Sequence, residues 1–202
     1  EFDKLGADEQ RLLSRMIRDF ERNGLGLAED KQEKVKELKQ KLSKLQIDFT
    51  KNLGEDKTQL LFTAEELEGC PQDFLEGLGK DTETGKLIVT LKYPDVMPVM
   101  KYAKQPDTRK KLDFARQSQC QAQNVPLFEE ALELRQQIAE YLGFDTHADY
   151  ILDIRMAKNK ENVLNFLTDL RNRLTAGGLS EIEKLKRYKS ENPYETESDK
   201  IY

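Results

Sequence analysis

The chain has 202 residues, of which 35% are charged and 37% are hydrophobic, and its formal net charge is -5. The length is sufficient for a buried core, and the interleaving of acidic with basic residues excludes a nucleic-acid-binding surface built on a basic patch. No stretch approaches the roughly 18 consecutive apolar residues of a membrane-spanning helix, so neither nucleic acid nor a membrane is expected as a partner.

The N-terminus lacks both an initiator methionine and the basic and apolar segments of a signal peptide. We therefore expect the chain to be an internal part of a longer protein. The two cysteines, Cys70 and Cys120, stand far apart and outside any CxxC motif. This usage is typical of a reducing compartment, which predicts the cytoplasm and leaves the mitochondrion open.

Two amphipathic helices are predicted first. The segment Ala7–Asn23 carries apolar residues on one side of a helix: Leu12, Leu13, Met16, Ile17 and Phe20. The segment Glu29–Leu53 repeats apolar residues in steps of three and four: Val35, Leu38, Leu42, Leu45, Phe49 and Leu53. Because this seam is too short for a sustained heptad pattern, we interpret it as packing inside its own domain. The alternative is a coiled coil or a partner-binding helix of a non-enzymatic interaction module.

Residues 58–93 have a different pattern, typical of a small insert. Thr63 and Glu66 have capping-box spacing, and Gly69 stops the turn that they begin. A short helix over Pro71–Leu78 and a turn over Asp81–Gly85 follow. Strand composition predicts one small antiparallel ribbon that pairs Gln59–Phe62 with Leu87–Leu91, the second strand lying within Lys86–Tyr93.

The second half is predicted to be helical. The helices are a short one begun by Asp95 and Pro98, one over Thr108–Gln123 that carries Leu112 and Phe114, and one that begins at Pro126 with Leu127, Ala131, Leu134, Ile138 and Tyr141 inward. Next comes Lys160–Leu174, capped by Asn159, with Val163, Phe166, Leu167, Leu170 and Leu174 inward. Gly177-Gly178 is expected to break this helix before a last one over Ser180–Ser190, and residues 192–198 are expected to form an exposed loop.

The only histidine, His147, lies in a sharp corner between two helices. Gly143 is placed to end one helix and Thr146 to cap the next with Asp149, whose apolar side is predicted to include Tyr150, Ile151, Ile154 and Met156. The positive end of the helix dipole disfavours a charged imidazole here. We interpret His147 as a neutral packing residue, hydrogen-bonded to a nearby backbone group or to Asp145 or Asp149, and contact with a ligand is the alternative.

No constellation of catalytic or metal-binding residues is visible. A zinc site needs three or four His, Cys or carboxylate ligands, and the His-Glu-x-x-His motif needs two histidines, whereas the chain has one. There is no nucleophile elbow and no glycine-rich phosphate loop. We therefore predict no catalytic, cofactor-binding or metal-binding residue in this sequence.

Five segments resemble the thimet oligopeptidase, neurolysin and saccharolysin family of zinc metalloendopeptidases, in the order and spacing of that family, with the fungal members the most similar. They are Asp19–Leu27 (DFERNGLGL), Leu45–Leu53 (LQIDFTKNL), Val89–Pro94 with Pro98–Met100, Leu142–Tyr150 (LGFDTHADY) and Met156–Ala157. The resemblance covers essentially the whole chain.

The resemblance implies a mainly α-helical fragment of a clam-like peptidase whose two domains flank a deep channel. It places residues 1–202 mostly in the non-catalytic N-terminal domain, with residues 58–93 as an insert, and implies that the zinc ligands and the catalytic glutamate lie outside this chain. The whole protein would cleave short peptides with zinc as cofactor. This piece would supply channel wall and size selection, would be inactive and zinc-free alone, and could self-associate through a surface meant for the missing catalytic half.

Overall fold

The computed structural model describes residues 2–191 and is mainly α-helical with one two-stranded ribbon, which confirms the predicted fold class. After a 3₁₀ turn at Phe2–Lys4, the elements are α1 (Ala7–Arg22), α2 (Glu29–Glu55), β1 (Gln59–Phe62), α3 (Gln72–Gly77), β2 (Leu87–Thr90), α4 (Tyr93–Tyr102), α5 (Pro106–Gln117), α6 (Gln121–Tyr141), α7 (His147–Leu152) and α8 (Lys160–Ser190). None of the helices in this range is long and apolar enough to cross a membrane.

The chain divides into two compact units. Within the described residues, the first unit comprises residues 2–51 and 122–168, and the second comprises residues 52–121 and 169–191. The predicted insert at 58–93 thus falls within the second unit.

The second unit is organised around the ribbon. β1 and β2 pair antiparallel with Leu60 opposite Val89 and Phe62 opposite Leu87. Because side chains alternate across a strand, Leu87 and Val89 point to the same face, which is covered by α4, α5 and the turn before α3. The buried cluster consists of Phe62, Leu67, Cys70, Leu87, Val89, Leu91, Val96, Val99, Ala103 and Leu112.

The predicted capping box ahead of α3 is present. The Thr63 amide donates to Glu66 Oε2 at 2.7 Å, and the Glu66 amide donates to Thr63 Oγ1 at 3.2 Å. Gly69 then takes a left-handed conformation with φ +98. A Cβ at Gly69 would lie 2.3 Å from the Tyr102 carbonyl oxygen, so only glycine lets the chain pass α4 this closely.

In the first unit, α2 packs along α6. The buried cluster contains Leu38, Leu45, Ala131, Leu134 and Ile138, with Leu42, Leu127, Tyr141 and Leu142 packed against it. The apolar seam of α2 is thus occupied by residues of the same chain, which agrees with the intramolecular interpretation. The predicted core face of α6 is confirmed.

The predicted second strand is too long. β2 ends at Thr90, short of the predicted Leu91, and Tyr93 and Pro94 form the first turn of α4. Pro94 fits there because backbone amides in the first turn have no helical partner. Asp95 does not cap α4; its Oδ2 accepts hydrogen bonds from the Thr90 amide at 2.9 Å and from Thr90 Oγ1 at 2.5 Å.

The break between α5 and α6 was misplaced. α5 ends at Gln117, Cys120 has a left-handed φ of 54, and α6 begins at Gln121, so Pro126 lies inside α6 instead of starting it. The Cys120 thiol donates to the Asn52 carbonyl at 3.3 Å. Tertiary contact at Cys120 therefore decides the position of the break, and α6 tolerates Pro126 at the cost of one helical hydrogen bond.

The predicted helix break at Gly177-Gly178 is wrong. α8 continues from Lys160 to Ser190, and neither glycine has a positive φ. A glycine inside a helix costs about 1 kcal/mol relative to alanine, which weakens the helix without ending it. The predicted cap is confirmed, since Asn159 Oδ1 accepts from the Asn162 amide at 2.8 Å.

Several residues that were predicted to point inward are exposed. This holds for Phe166, Leu167, Leu170 and Leu174 on α8. The apolar face of α1 (Leu12, Met16, Ile17, Phe20) and Phe114 on α5, for which no burial was predicted, are exposed as well. α7 ends at Leu152, so Ile154 and Met156 lie beyond it, and Met156 is 98% exposed. Periodicity identifies an apolar face, but it does not show what covers that face. The loop predicted at 192–198 lies outside the described residues.

Candidate functional site

The corner that contains His147 begins with a predicted helix stop. Gly143 has φ +85, its amide donates to the Glu140 carbonyl at 3.0 Å, and the Phe144 amide donates to the Ala139 carbonyl at 2.9 Å. These two bonds form the Schellman motif, in which a left-handed glycine satisfies the last carbonyls of a helix. The chain can therefore turn sharply from α6 into α7.

Thr146 caps α7, as predicted. Thr146 Oγ1 accepts from the Asp149 amide at 3.2 Å and donates to Asp149 Oδ2 at 2.6 Å. Lys160 Nζ lies 3.0 Å from the same carboxylate oxygen. The hydrogen bond from Thr146, followed by that from Lys160, lowers the pKa of Asp149, so this carboxylate stays ionised near pH 7.

The His147 ring interacts with a nearby backbone group, that of Arg135, as expected, but one of its nitrogens is left without a partner among the described residues. Its Nδ1 is buried and has no hydrogen-bond partner within residues 2–191. Burial is the main cause that lowers the pKa of His147, and the positive charge of Arg135 adds to it, while an interaction with the Arg135 main chain opposes the shift. The imidazole is therefore neutral near pH 7, as predicted.

Another arginine, Arg22 at the end of α1, connects that helix to residues of the corner through hydrogen bonds. Its side chain is only 10% exposed, and its guanidinium contacts Asp153 Oδ2 at 2.7 Å and the Tyr150 carbonyl at 2.6 Å. The guanidinium carbon also lies 4.2 Å from the centroid of the Tyr150 ring. These contacts satisfy the cation, so Arg22 is a structural residue.

Arg135, by contrast, lines an open groove between α2 and α6 with a volume of about 320 Å³. We call it the Arg135 groove; it is lined by Leu45, Gln46, Phe49, Thr50, Leu127, Phe128, Ala131 and Arg135. Arg135 is half-buried, and its guanidinium forms no hydrogen bond or ion pair with any residue that the structure describes. Sequence reasoning missed this residue because nothing in the spacing distinguishes Arg135 from the other basic residues of the helices.

A larger cleft of about 600 Å³ lies in the second unit beside the ribbon, between Phe62, Leu75 and Leu87. Its charged lining residues are mostly exposed, including Glu65, Glu76 and Lys80. Exposed charges remain hydrated and give little selectivity, so the Arg135 groove is the stronger candidate for a binding site.

The residues that the structure describes do not fit a zinc site. The chain contains one histidine, and residues 2–191 contain no group of three or more His, Cys, Asp or Glu side chains placed to hold a metal ion. Cys70 and Cys120 are both free thiols, and burial raises the pKa of each.

Comparison with known proteins identifies relatives that align with most of this chain. Thimet-like oligopeptidase of Dictyostelium discoideum is 39% identical over 92% of this chain and 28% of its own length. Saccharolysin of Saccharomyces cerevisiae is 37% identical over 94% of this chain and 27% of its own length, and oligopeptidase A of Escherichia coli is 30% identical over 91% of this chain and 29% of its own length.

The chain therefore spans less than a third of the length of these relatives. Identities of 39% and 37% do not set the fungal relative apart, so the special likeness to fungal members stays a prediction. A family model described as peptidase family M3 matches residues 99–202, which is just over half of the chain. The chain belongs to peptidase family M3.

Proposed function

We propose that the whole protein is a zinc-dependent oligopeptidase that hydrolyses short peptides. The observation that carries the proposal is the match to peptidase family M3, together with relatives named as oligopeptidases that align with nearly all of this chain. Zinc is part of the proposal because the resembled family consists of zinc metalloendopeptidases. The ligands would come from segments that the relatives have and this chain does not cover.

This chain has a non-catalytic role in the proposal. The one histidine cannot form a His-Glu-x-x-His motif. The chain would instead form part of the wall of a substrate channel and exclude large substrates. Most of residues 1–202 would belong to the N-terminal domain, with residues 58–93 as an insert. A narrow channel admits extended peptides and rejects folded proteins because only the former can enter without unfolding.

The activity test compares the whole protein with the 202-residue chain on internally quenched peptides of increasing length. We expect chelator-sensitive cleavage of short peptides, and no cleavage of a folded protein, by the whole protein alone. Zinc measured by atomic absorption should be stoichiometric in the whole protein and absent from the 202-residue chain. Cleavage or stoichiometric zinc in the 202-residue chain would refute the non-catalytic role, and a zinc-free or peptide-inert whole protein would refute the oligopeptidase.

The exposed apolar faces of α1 and α8 support a second part of the proposal, which is that the chain alone self-associates. Phe166 on α8 is 66% exposed, and Leu170 and Leu174 continue the same face. Apolar patches of this kind are normally covered by a partner surface, which in the whole protein would be the catalytic half. Sedimentation should show concentration-dependent association of the 202-residue chain that the double variant Phe166→Ser, Leu170→Ser weakens. A monomer at all concentrations would contradict it.

We further propose a reducing compartment, the cytoplasm or the mitochondrion, because both thiols are free. Fractionation of cells that express the whole protein distinguishes these two sites from secretion.

A further inference from the structure

The Arg135 groove combines an apolar floor with one cation. Leu45, Phe49 and Phe128 contribute apolar surface, and Phe128 remains about half exposed. Among the lining residues that the structure describes, Arg135 is the only charged one. A groove of this composition selects a ligand that carries one negative charge next to an apolar group.

The state of Arg135 indicates which negative charge would fit. A half-buried guanidinium has lost part of its hydration and, within the described residues, has gained no acceptor in return. Guanidinium presents its donors as a planar fork that matches a carboxylate with two parallel hydrogen bonds. A carboxylate is therefore the complementary group.

The size of the groove limits the ligand. Its volume of about 320 Å³ is at the lower end of the range for small-molecule sites, which is about 300–1,000 Å³. It can hold the end of a peptide but not a long stretch. Every short linear peptide with a free C-terminus ends in a carboxylate next to a side chain.

We propose that the Arg135 groove binds the C-terminal residue of a short peptide, with the terminal carboxylate on Arg135 and an apolar side chain against Phe49 and Phe128. This inference rests on the proposed function and refines its substrate class to peptides with a free carboxylate and an apolar last residue. If one end of the peptide is held in the groove, only peptides of a limited length can fit between this anchor and the catalytic centre. The anchor would therefore explain the proposed selection of short substrates.

His147 provides a built-in reporter of occupancy. It is the only histidine in the chain, and the Arg135 charge contributes to lowering the pKa of His147. A carboxylate bound to Arg135 neutralises that charge, so the pKa of His147 should rise when the groove is filled.

The test is an NMR titration of the His147 ring in the 202-residue chain, with acetyl-Ala-Ala-Leu as the probe and its C-terminal amide as the control ligand. We expect the free acid to shift the ring resonances saturably and to raise the pKa of His147, and the amide to do neither. The experiment requires no catalysis, so its failure is distinct from the failure of the proposed peptidase activity.

Three variants make the assignment specific. Arg135→Gln should weaken binding of the acid by at least about tenfold, as expected for the loss of a charge-assisted pair, and should leave the spectrum of the folded chain otherwise intact. Phe128→Ala should weaken binding while the preference for acid over amide persists. Arg171→Gln on α8, a matched loss of one exposed positive charge, should change nothing.

Equal responses to acid and amide would overturn the proposal, as would acid binding that survives Arg135→Gln. If Arg135→Gln unfolds the chain, the affinity of Phe128→Ala for the acid tests the proposal instead, because a half-exposed side chain can be shortened without loss of the fold. Unchanged affinity in Phe128→Ala would then overturn the proposal.

Discussion

The two units of this chain bury their apolar residues in different ways. The second unit uses short elements, a ribbon, capped turns and three small helices, and buries ten side chains in one cluster. The first unit uses long helices, yet its cluster along α2 and α6 buries only five. Short elements that meet at fixed turns can enclose a core, whereas a long amphipathic helix needs a neighbour along its whole apolar face.

Apolar faces without a neighbour are clearest on α1, in the first unit, and on α8, which runs from the first unit into the second. Both helices have strong apolar periodicity, and neither has a buried residue within the described part of the chain. α2 has a similar pattern and three buried residues, because α6 lies along it. Paired variants, from the largest expected effect to the smallest, test first this contrast between enclosed and open apolar surface and then the turns and the corner at His147.

The largest effect is expected from Leu45→Asp on α2. Leu45 is 8% exposed and Ile47, on the same helix, is 64% exposed. An unpaired carboxylate in the cluster should cost more than about 4 kcal/mol of unfolding free energy, and Ile47→Asp should stay within about 0.5 kcal/mol. Urea denaturation followed by circular dichroism measures both. A stable Leu45→Asp monomer derived from a dimer would show that the α2 seam binds a partner.

Leu112→Ala in the second unit should follow. Leu112 is fully buried and Leu174 on α8 is 59% exposed, so the same truncation leaves a cavity at one site only. We expect a loss of about 3 kcal/mol for Leu112→Ala and at most about 0.5 kcal/mol for Leu174→Ala. Thermal melts at low protein concentration compare them. Similar losses would mean that α8 is enclosed in solution.

Gly69→Ala and Gly143→Ala compare two left-handed turns. Both have positive φ, but a Cβ at Gly69 meets the Tyr102 carbonyl at 2.3 Å, whereas one at Gly143 meets no atom within 4 Å. Gly143→Ala should cost about 1 kcal/mol through backbone strain alone. Gly69→Ala should cost at least about twice as much, because α4 must also move. Chemical denaturation ranks them, and the reverse order would show that the approach of the chain to Tyr102 is not tight.

The smallest effect is a pH dependence from His147. Because the pKa of His147 is lowered in the folded chain, the unfolded chain binds the proton more tightly. Its contribution to stability is therefore complete above the unfolded pKa of about 6.5 and is lost as pH falls through that value toward the folded pKa. The stability of His147→Ala between pH 8 and pH 5, relative to the parent, should reveal this slope, and identical slopes would contradict it.

His147→Ala also serves to compare the two residues that are expected to stabilise the corner between α6 and α7. At pH 8, Gly143→Val should cost more than His147→Ala, because a β-branched residue is strained at positive φ. Melting temperatures of the two variants give the order.

Local chemistry made much of the fold predictable from the sequence. Gly69, Gly85 and Gly143 were each predicted as a turn or helix stop, and each has positive φ. The Thr63–Glu66 box, the Thr146 cap and the ribbon pairing followed from residue type and spacing alone. By contrast, Pro126 and Gly177-Gly178 were wrongly predicted to mark helix ends. A weak helix former ends a helix only when an alternative conformation is stabilised.

The candidate site was not predictable in the same way. The corner was identified because Gly143, Thr146 and His147 are close together in sequence. Arg135 lies on the preceding helix, and its role as a candidate binding residue depends on its position in the groove beside α2 and on its interaction with His147. No spacing rule distinguishes an arginine without an acceptor from one that is satisfied, as Arg22 is by Asp153 and Tyr150.

The sequence by itself determined the elements, their caps and their apolar faces, because hydrogen bonding in a turn and the period of a helix involve residues close together in the chain. It also determined the family resemblance, which the match to peptidase family M3 confirms. Only the tertiary structure decided which apolar faces are covered, where α5 gives way to α6, and that the half-buried Arg135 has no acceptor among residues 2–191. These outcomes depend on contacts between residues far apart in sequence, such as Leu45 with the cluster on α6, whose energy no local pattern encodes.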